Sequence, residues 1–125
     1  MNIRIKRIYD TYDKADGIRV LVDRLWPRGV KKSEAKITLW MKEIAPSNEL
    51  RLWFDHKPEK WKVFSKSYMK ELDKKTEIVA RLYSLIKKDN VTLLYAARDR
   101  YCNHARVIAD YLIQHDRKLE DENTL

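Results

Sequence analysis

Asp16-Gly17-Ile18-Arg19-Val20-Leu21-Val22-Asp23-Arg24-Leu25-Trp26-Pro27-Arg28-Gly29 is the stretch whose reading decides the fold. Ile18 to Val22 is an apolar, largely β-branched run behind the turn signal Asp16-Gly17, so it reads as a strand covered on both faces. Where that strand should end, the chemistry changes. Asp23, Arg24 and Arg28 crowd around Trp26-Pro27, and Gly29 closes the turn. Proline fixes its own φ at about −65° and drives the residue before it, Trp26, into an extended conformation. Glycine suits the last position of a tight turn. Two guanidinium groups and a carboxylate thus stand at the carboxyl end of a buried strand, where open α/β sheets place their ligands.

Val91 to Ala96 is a second run of the same kind, entered through Asp89-Asn90 and followed by a loop from Arg98 to Cys102. If the two strands are parallel neighbours, both exits open at one edge of the sheet. Asp23, Arg24 and Arg28 then share a cleft with Arg98, Asp99 and Asn103, the last of these capping the next helix. A helix start offers amide donors and the positive end of its dipole, and arginine forks offer bidentate contacts, so an anion belongs between them. Asp23 or Asp99 would brace Arg24 and Arg98. Arg7, leaving the first strand, joins from the side, and Trp26 between two arginines offers a platform for a ring. Asp23, Asp99 and His104 are the candidates for moving protons, with a plain contact in the helix's opening turns as the alternative for His104. His56 either lines the same cleft or closes its own loop. The competing reading of the whole group is a scaffold, in which carboxylates near the sheet are paired only because they need partners there.

Outward from these strands, Ile3-Arg4-Ile5-Lys6 alternates apolar and basic residues with the period of a strand. Ser33 reads as the N-cap of a short helical turn in which Glu34 is favoured by the dipole. Ile37 to Ile44 reads as a short helix capped by Thr38 and interrupted by Pro46. Ser47 caps a clearer helix, with Leu50, Trp53 and Phe54 on one face and Arg51 and Asp55 pointing elsewhere. Pro58 suits the first position of the next helix, whose stripe is Trp61, Phe64, Tyr68 and Leu72. Ile78, Val79, Leu82, Leu85 and Ile86 mark a further helical stretch, with Asp73-Lys74-Lys75 as a loop or a bend between the two. Ala105, Ile108, Ala109 and Leu112 trace the last helix. The expected architecture is α/β: one compact domain over residues 1–115, with a small, mainly parallel sheet of Ile3–Lys6, Ile18–Asp23 and Val91–Ala96 covered by several helices. Those from Ser47 to Lys88 supply the crossover that parallel strands require. Residues 116–125 are strongly charged and are expected to form a frayed tail.

A chain of 125 residues, 44% hydrophobic, can bury one core. Only two Gly and three Pro argue against long linkers. The single Cys102 cannot form an internal disulfide, and no Cys/His spacing matches a zinc site. No apolar run approaches about 18 residues and the first residues alternate charge with Ile, so neither a membrane span nor a signal peptide is expected and the location should be cytoplasmic. A formal charge of +8 favours a polyanionic partner. The 27 basic residues are nevertheless spread along the chain among 19 acidic ones, as on a well-solvated surface. There is no Walker loop, G-x-G-x-x-G, H-E-x-x-H or serine nucleophile elbow, so no cofactor or metal is expected. With two glycines, any phosphate site must rely on arginine and a helix start.

The run from Arg19 to Gly29 resembles the signature of the YeaO-like family, the domain of unknown function 488. Further matches are Ala45-Pro46-Ser47, Glu49-Leu50-Arg51, Trp53-Phe54, Leu93 to Ala97 followed by Asp99, and Asn103-His104-Ala105. The similarity runs from about Ile3 to about Leu112, and Arg7 and Tyr9 also resemble family positions. The resemblance implies a small bacterial or archaeal α/β protein and fixes the fold better than the function. Cys102-Asn103-His104-Ala105-Arg106, between a strand and a helix, invites comparison with cysteine-based phosphatases and sulfurtransferases, whose thiolate opens an anion-cradling loop. Here no glycine opens the backbone, the spacing from Cys to Arg is too short for the usual phosphatase loop, and the strand ends in Ala96-Ala97 where a nucleophile would stand. More distant relatives resemble Cys-His-Arg at this place, a triplet this chain does not preserve. Cys102 therefore reads as structural or incidental.

Three functions fit these residues, ranked in this order. The first is binding, with or without turnover, of a small anionic ligand such as a phosphate ester or nucleotide at the joint strand exits. The second is a nucleic-acid-binding module with Trp26 stacking on a base, expected to be weak and non-specific because the basic residues are not gathered on one element. The third is an interaction protein whose Arg–Asp network is purely structural. Ligand, reaction and oligomeric state stay open at this point.

Overall fold

The structure, a computed structural model, describes residues 2–123. Four parallel strands form one sheet in the order β1-β4-β2-β3: β1 Ile3–Arg7, β2 Ile18–Leu21, β3 Leu39–Trp40 and β4 Val91–Tyr95. β4 lies inside the sheet, with Ile5 and Val20 on its two sides at the level of Leu93. All five of its residues are buried, which is why its sequence is apolar without alternation. Its one polar residue, Thr92, donates its hydroxyl to the Asp16 carbonyl at 2.8 Å. The ladder continues past β2, where the Val22 amide donates to Leu94 O at 3.1 Å.

Strand side chains alternate between faces, and the two faces meet different partners. Val20, Leu93 and Tyr95 join the larger core with Phe64, Tyr68, Leu82 and Ile108. Leu21, Leu94 and Ile8 form a smaller core on the opposite face, closed by Trp26, Val30, Ile37 and Trp40. The helices are α1 Lys32–Ala35, α2 Asn48–Phe54, α3 Trp61–Lys74, α4 Thr76–Lys88 and α5 His104–Asn123. Ser47 caps α2, its Oγ accepting from the Leu50 amide at 3.2 Å. Glu71 of α3 accepts from both the Ser47 amide and its hydroxyl, at 2.8 and 2.6 Å. Pro58 opens a 3₁₀ turn, Pro58–Lys60, that leads into α3. α3 and α4 are separate helices meeting at Lys75, whose φ of −96° and ψ of 52° break the helical ladder. The expected α/β single domain is the fold observed.

Three local expectations are corrected. Residues 37–44 are not a helix: Leu39–Trp40 is an edge strand paired with Val20 and Leu21, followed by a 3₁₀ turn, Lys42–Ile44. Thr38 serves the sheet, donating its amide to Arg19 O at 2.8 Å and accepting the Arg19 amide on Oγ1 at 3.0 Å. β2 had an open edge there, and filling it outweighed the helical spacing. Ser33 lies inside α1, and Lys31 holds the N-cap position without a side-chain bond. Finally, α5 does not fray at residue 116. It runs on to Asn123, and Asp116 is buried, accepting from Tyr83 Oη at 2.7 Å and Lys87 Nζ at 3.2 Å. The tail expected at 116–125 extends beyond the described residues at 124 and 125. No helix among the described residues is long and apolar enough to cross a membrane.

Candidate functional site

Because β2 and β4 are adjacent and parallel, their exits open together, and Asp23 joins them. Its Oδ2 accepts the Ala96 amide at 3.0 Å, extending the sheet's pairing by a side chain. Its carbonyl accepts from Trp40 Nε1 at 2.7 Å. His104 Nε2 sits between two acceptors, Val22 O at 3.0 Å and Asp23 Oδ1 at 3.1 Å. With Nε2–H directed at the carbonyl, Asp23 Oδ1 lies close by but without a well-formed hydrogen bond. Both side chains are committed to holding the strand exits to α5.

A cavity of about 930 Å³ opens beside this junction, and Asp23, Arg24, Arg28, Arg98, Asp99, Asn103 and His104 all line it. Arg24 donates from Nη2 to Ala45 O and Pro46 O, both at 3.3 Å, so it ties the segment before α2 to the β2 exit, and its buried Nε has no partner. Lys75 reaches the same segment, donating to Glu43 O at 2.8 Å and Ala45 O at 2.6 Å. Burial pushes the Lys75 ammonium below its ordinary range, and the Arg24 charge adds to this against the opposing pull of Glu71. Arg28 and Arg98 are exposed at the rim.

Asp99 does not brace an arginine. Its Oδ1 accepts the amides of Tyr101 at 2.8 Å and Cys102 at 2.9 Å, and these two bonds, Cys102 first, hold its carboxyl below the usual range. Asn103 caps α5 as its residue type suggests: Oδ1 accepts the Arg106 amide at 3.1 Å while Nδ2 donates to Asp99 O at 3.1 Å. The expected carboxylate–guanidinium forks are therefore absent from this cleft. The turns were short of acceptors for their amides, and the two aspartates supply them.

Two expected members lie elsewhere. Arg7 donates from Nε to Ala97 O at 2.9 Å and from Nη2 to Ala96 O at 3.2 Å. It braces the β4 exit from outside and does not line the cavity. Trp26 lies in the smaller core on the other face of the sheet, edge-on to Trp40 at 5.4 Å between ring centroids and donating Nε1 to Val30 O at 2.7 Å. It is no platform for a ligand in this cleft. Conversely, Arg51, Phe54 and His56 line the cavity from α2 and its end, with Phe64 from α3. His56 thus takes the lining alternative. Arg51 and Phe54 are three residues apart in a helix and so share a side, a spacing that could have identified Arg51.

Cys102 also borders the cavity. Burial pushes its thiol up, and the neighbouring Asp99 carboxylate pushes it further, the reverse of what a nucleophilic thiolate needs. Cys102→Ser is therefore expected to leave any anion binding at this cavity within twofold and stability nearly unchanged. Calorimetric titration beside a thermal melt checks this, and a lost binding signal with an unchanged melt would restore the cysteine to the site. Among the described residues, no group of three or more His, Cys, Asp or Glu is placed to hold a metal ion.

The chain is 46% identical over 112 residues to Uncharacterized protein YeaO of Escherichia coli K12, covering 90% of this chain and 97% of that protein. It is 40% identical over 110 residues to Uncharacterized protein Rv3073c of Mycobacterium tuberculosis H37Rv and to Uncharacterized protein Mb3100c of Mycobacterium bovis, covering 88% of this chain and 92% of each. No solved structure matches it. Residues 2–124 match the family description "Inactive DUF488-N3 subclade", and the chain belongs to the DUF488 family within that subclade.

Proposed function

We propose that this protein binds a small anionic ligand in the cleft between the β2 and β4 exits and holds it without turning it over. The observation that carries this reading is the charge of the lining, four arginines against two aspartates around one open cavity. Both aspartates accept their hydrogen bonds from backbone amides, so neither pairs directly with Arg28 or Arg98 at the rim, and the lining keeps a net positive charge. The start of α5, with its amides and dipole, borders the same space. Binding without turnover is supported by the raised Cys102 thiol, by the structural commitment of Asp23 and His104, and by the subclade's description as inactive.

The test is a thermal-shift titration with inorganic phosphate, sulfate and mononucleotides. A ligand that binds only the folded state stabilises it by about 2.7 kcal/mol at a hundredfold excess over Kd, enough to raise the melting temperature by several degrees. Arg28→Ala and Arg98→Ala, both at exposed positions, should each weaken binding about tenfold, or ~1.4 kcal/mol, with little change in the unliganded melt. If the double variant keeps the full ligand-induced shift, the cleft is not the site. Binding that requires an oligonucleotide and falls steeply with salt would favour the nucleic-acid function instead.

A further inference from the structure

We propose that the ligand is a phosphomonoester carried on an apolar, ring-sized body, an aryl phosphate in chemical class. The inference rests on anion binding in the cleft and asks what kind of anion would fill it. An inorganic oxyanion is only a few times the size of a water molecule, which claims about 30 Å³ of liquid. It would leave most of a cavity of about 930 Å³ wet. That volume is in the range of sites that enclose whole small organic molecules, commonly about 300–1,000 Å³.

The walls divide by element. The two strand-exit loops bring Arg24, Arg28 and Arg98, while the segment before α2 and helices α2 and α3 bring Pro46, Phe54 and Phe64 together with the fourth arginine, Arg51. Phe54 and Phe64, 7% and 2% exposed, stack on each other at 4.3 Å between centroids, and back the cavity with a packed apolar layer that is in place before any ligand arrives. Leu25, 66% exposed, adds apolar surface at the mouth. A purely ionic ligand would leave the Leu25 side chain facing water, whereas a ring would remove it from solvent. The charge count selects the head group. Four arginines and two aspartates leave a formal excess of two positive charges, matched by a phosphomonoester at about −1.5 to −2 and only half matched by a carboxylate.

Isothermal titration with phenyl phosphate, inorganic phosphate and benzoate tests both halves of the proposal. Phenyl phosphate should bind at least tenfold more tightly than either of the others. Arg98→Ala should weaken both phosphates about equally. Leu25→Ser, at an exposed position that does not threaten folding, should weaken phenyl phosphate about threefold and leave inorganic phosphate unchanged. Equal affinity for inorganic and phenyl phosphate would overturn the ring body while leaving anion binding in place. Equal affinity for benzoate and phenyl phosphate would overturn the dianion. If none of the three binds, anion binding in the cleft fails, and this inference fails with it.

Discussion

Asp16→Ala is expected to lower the unfolding free energy by about 3–5 kcal/mol, the usual cost of removing one partner of a buried ion pair. It should appear as a lower urea midpoint with an unchanged slope. Asp16 is fully buried and Arg19 is 3% exposed. The carboxylate accepts from Arg19 Nη1, from Lys6 Nζ at 3.1 Å and from the Asp13 amide at 3.2 Å. Arg19 meanwhile holds Lys36 O at 3.0 Å and Ala35 O at 3.3 Å, so it cannot swing out to water when its counter-ion is gone. Asp16→Ala/Arg19→Met should recover part of the loss, because an apolar pair leaves no stranded charge. A single variant as stable as the parent would show that water reaches Arg19. The same carboxyl gives the protein an acid limit. Burial alone would raise it, but the bonds from Lys6, the Asp13 amide and Arg19 outweigh burial and hold it below the ordinary range. A group lowered on folding contributes stability above its unfolded value, about 3.9, and that stability is lost as the pH falls through the folded value. The parent should therefore weaken from about pH 4 downward, and Asp16→Asn should flatten that dependence. Identical acid profiles for the two would remove Asp16 from the account.

Gly17→Ala should cost about 3 kcal/mol or more, since backbone strain and overpacking act together. Gly17 has a φ of 65°, and a Cβ built on it would stand 2.3 Å from Asn90 O. The neighbour is backbone, and it is already engaged, accepting the Ile18 amide at 2.9 Å. It cannot retreat without opening the start of the β2–β4 pairing. Gly29 supplies the control: its φ is 72°, but no atom lies within 4 Å of an added Cβ. Gly29→Ala should thus cost only the strain, about 1–2 kcal/mol. Equal melting temperatures for the two variants would discount the close approach at Asn90.

β2 and β4 were legible because burial on both faces leaves a strand no polar positions, and the crossover length then made them parallel neighbours with a shared exit. That is why the sequence alone gathers Asp23, Arg24, Arg28, Arg98 and Asn103 around one opening. β3 was not legible, because a two-residue strand exists only by virtue of the vacant edge beside Val20 and Leu21. Trp26 was misplaced for a related reason. Lying two residues from Arg24 says nothing about which face the chain has crossed to once the strand has ended, and its ring went to the core beneath Leu21 and Leu94. Arg7 was found near the right loop, but its acceptors are carbonyls of Ala96 and Ala97, which a sequence does not advertise. The pairing of each aspartate with amides was equally hidden, since any turn residue could have left those amides to water.

The position of β4 inside the sheet also dictates an order of events during synthesis. β1 and β2 are not neighbours: β1 pairs only with Val91–Tyr95, and β2, which has β3 on its other side, meets β1 only through that same strand. A nascent chain that has emerged as far as α4 carries two strands that cannot pair with each other in the native sheet. Their joining waits for Val91–Tyr95, and pairing Ile3 with Val91 closes a long loop that contains β2, β3 and the helices from α1 to α4. Such long-range pairing slows folding and leaves strand edges exposed in the meantime. The ribosome must therefore release the chain through Tyr95 before β1 has anywhere to go.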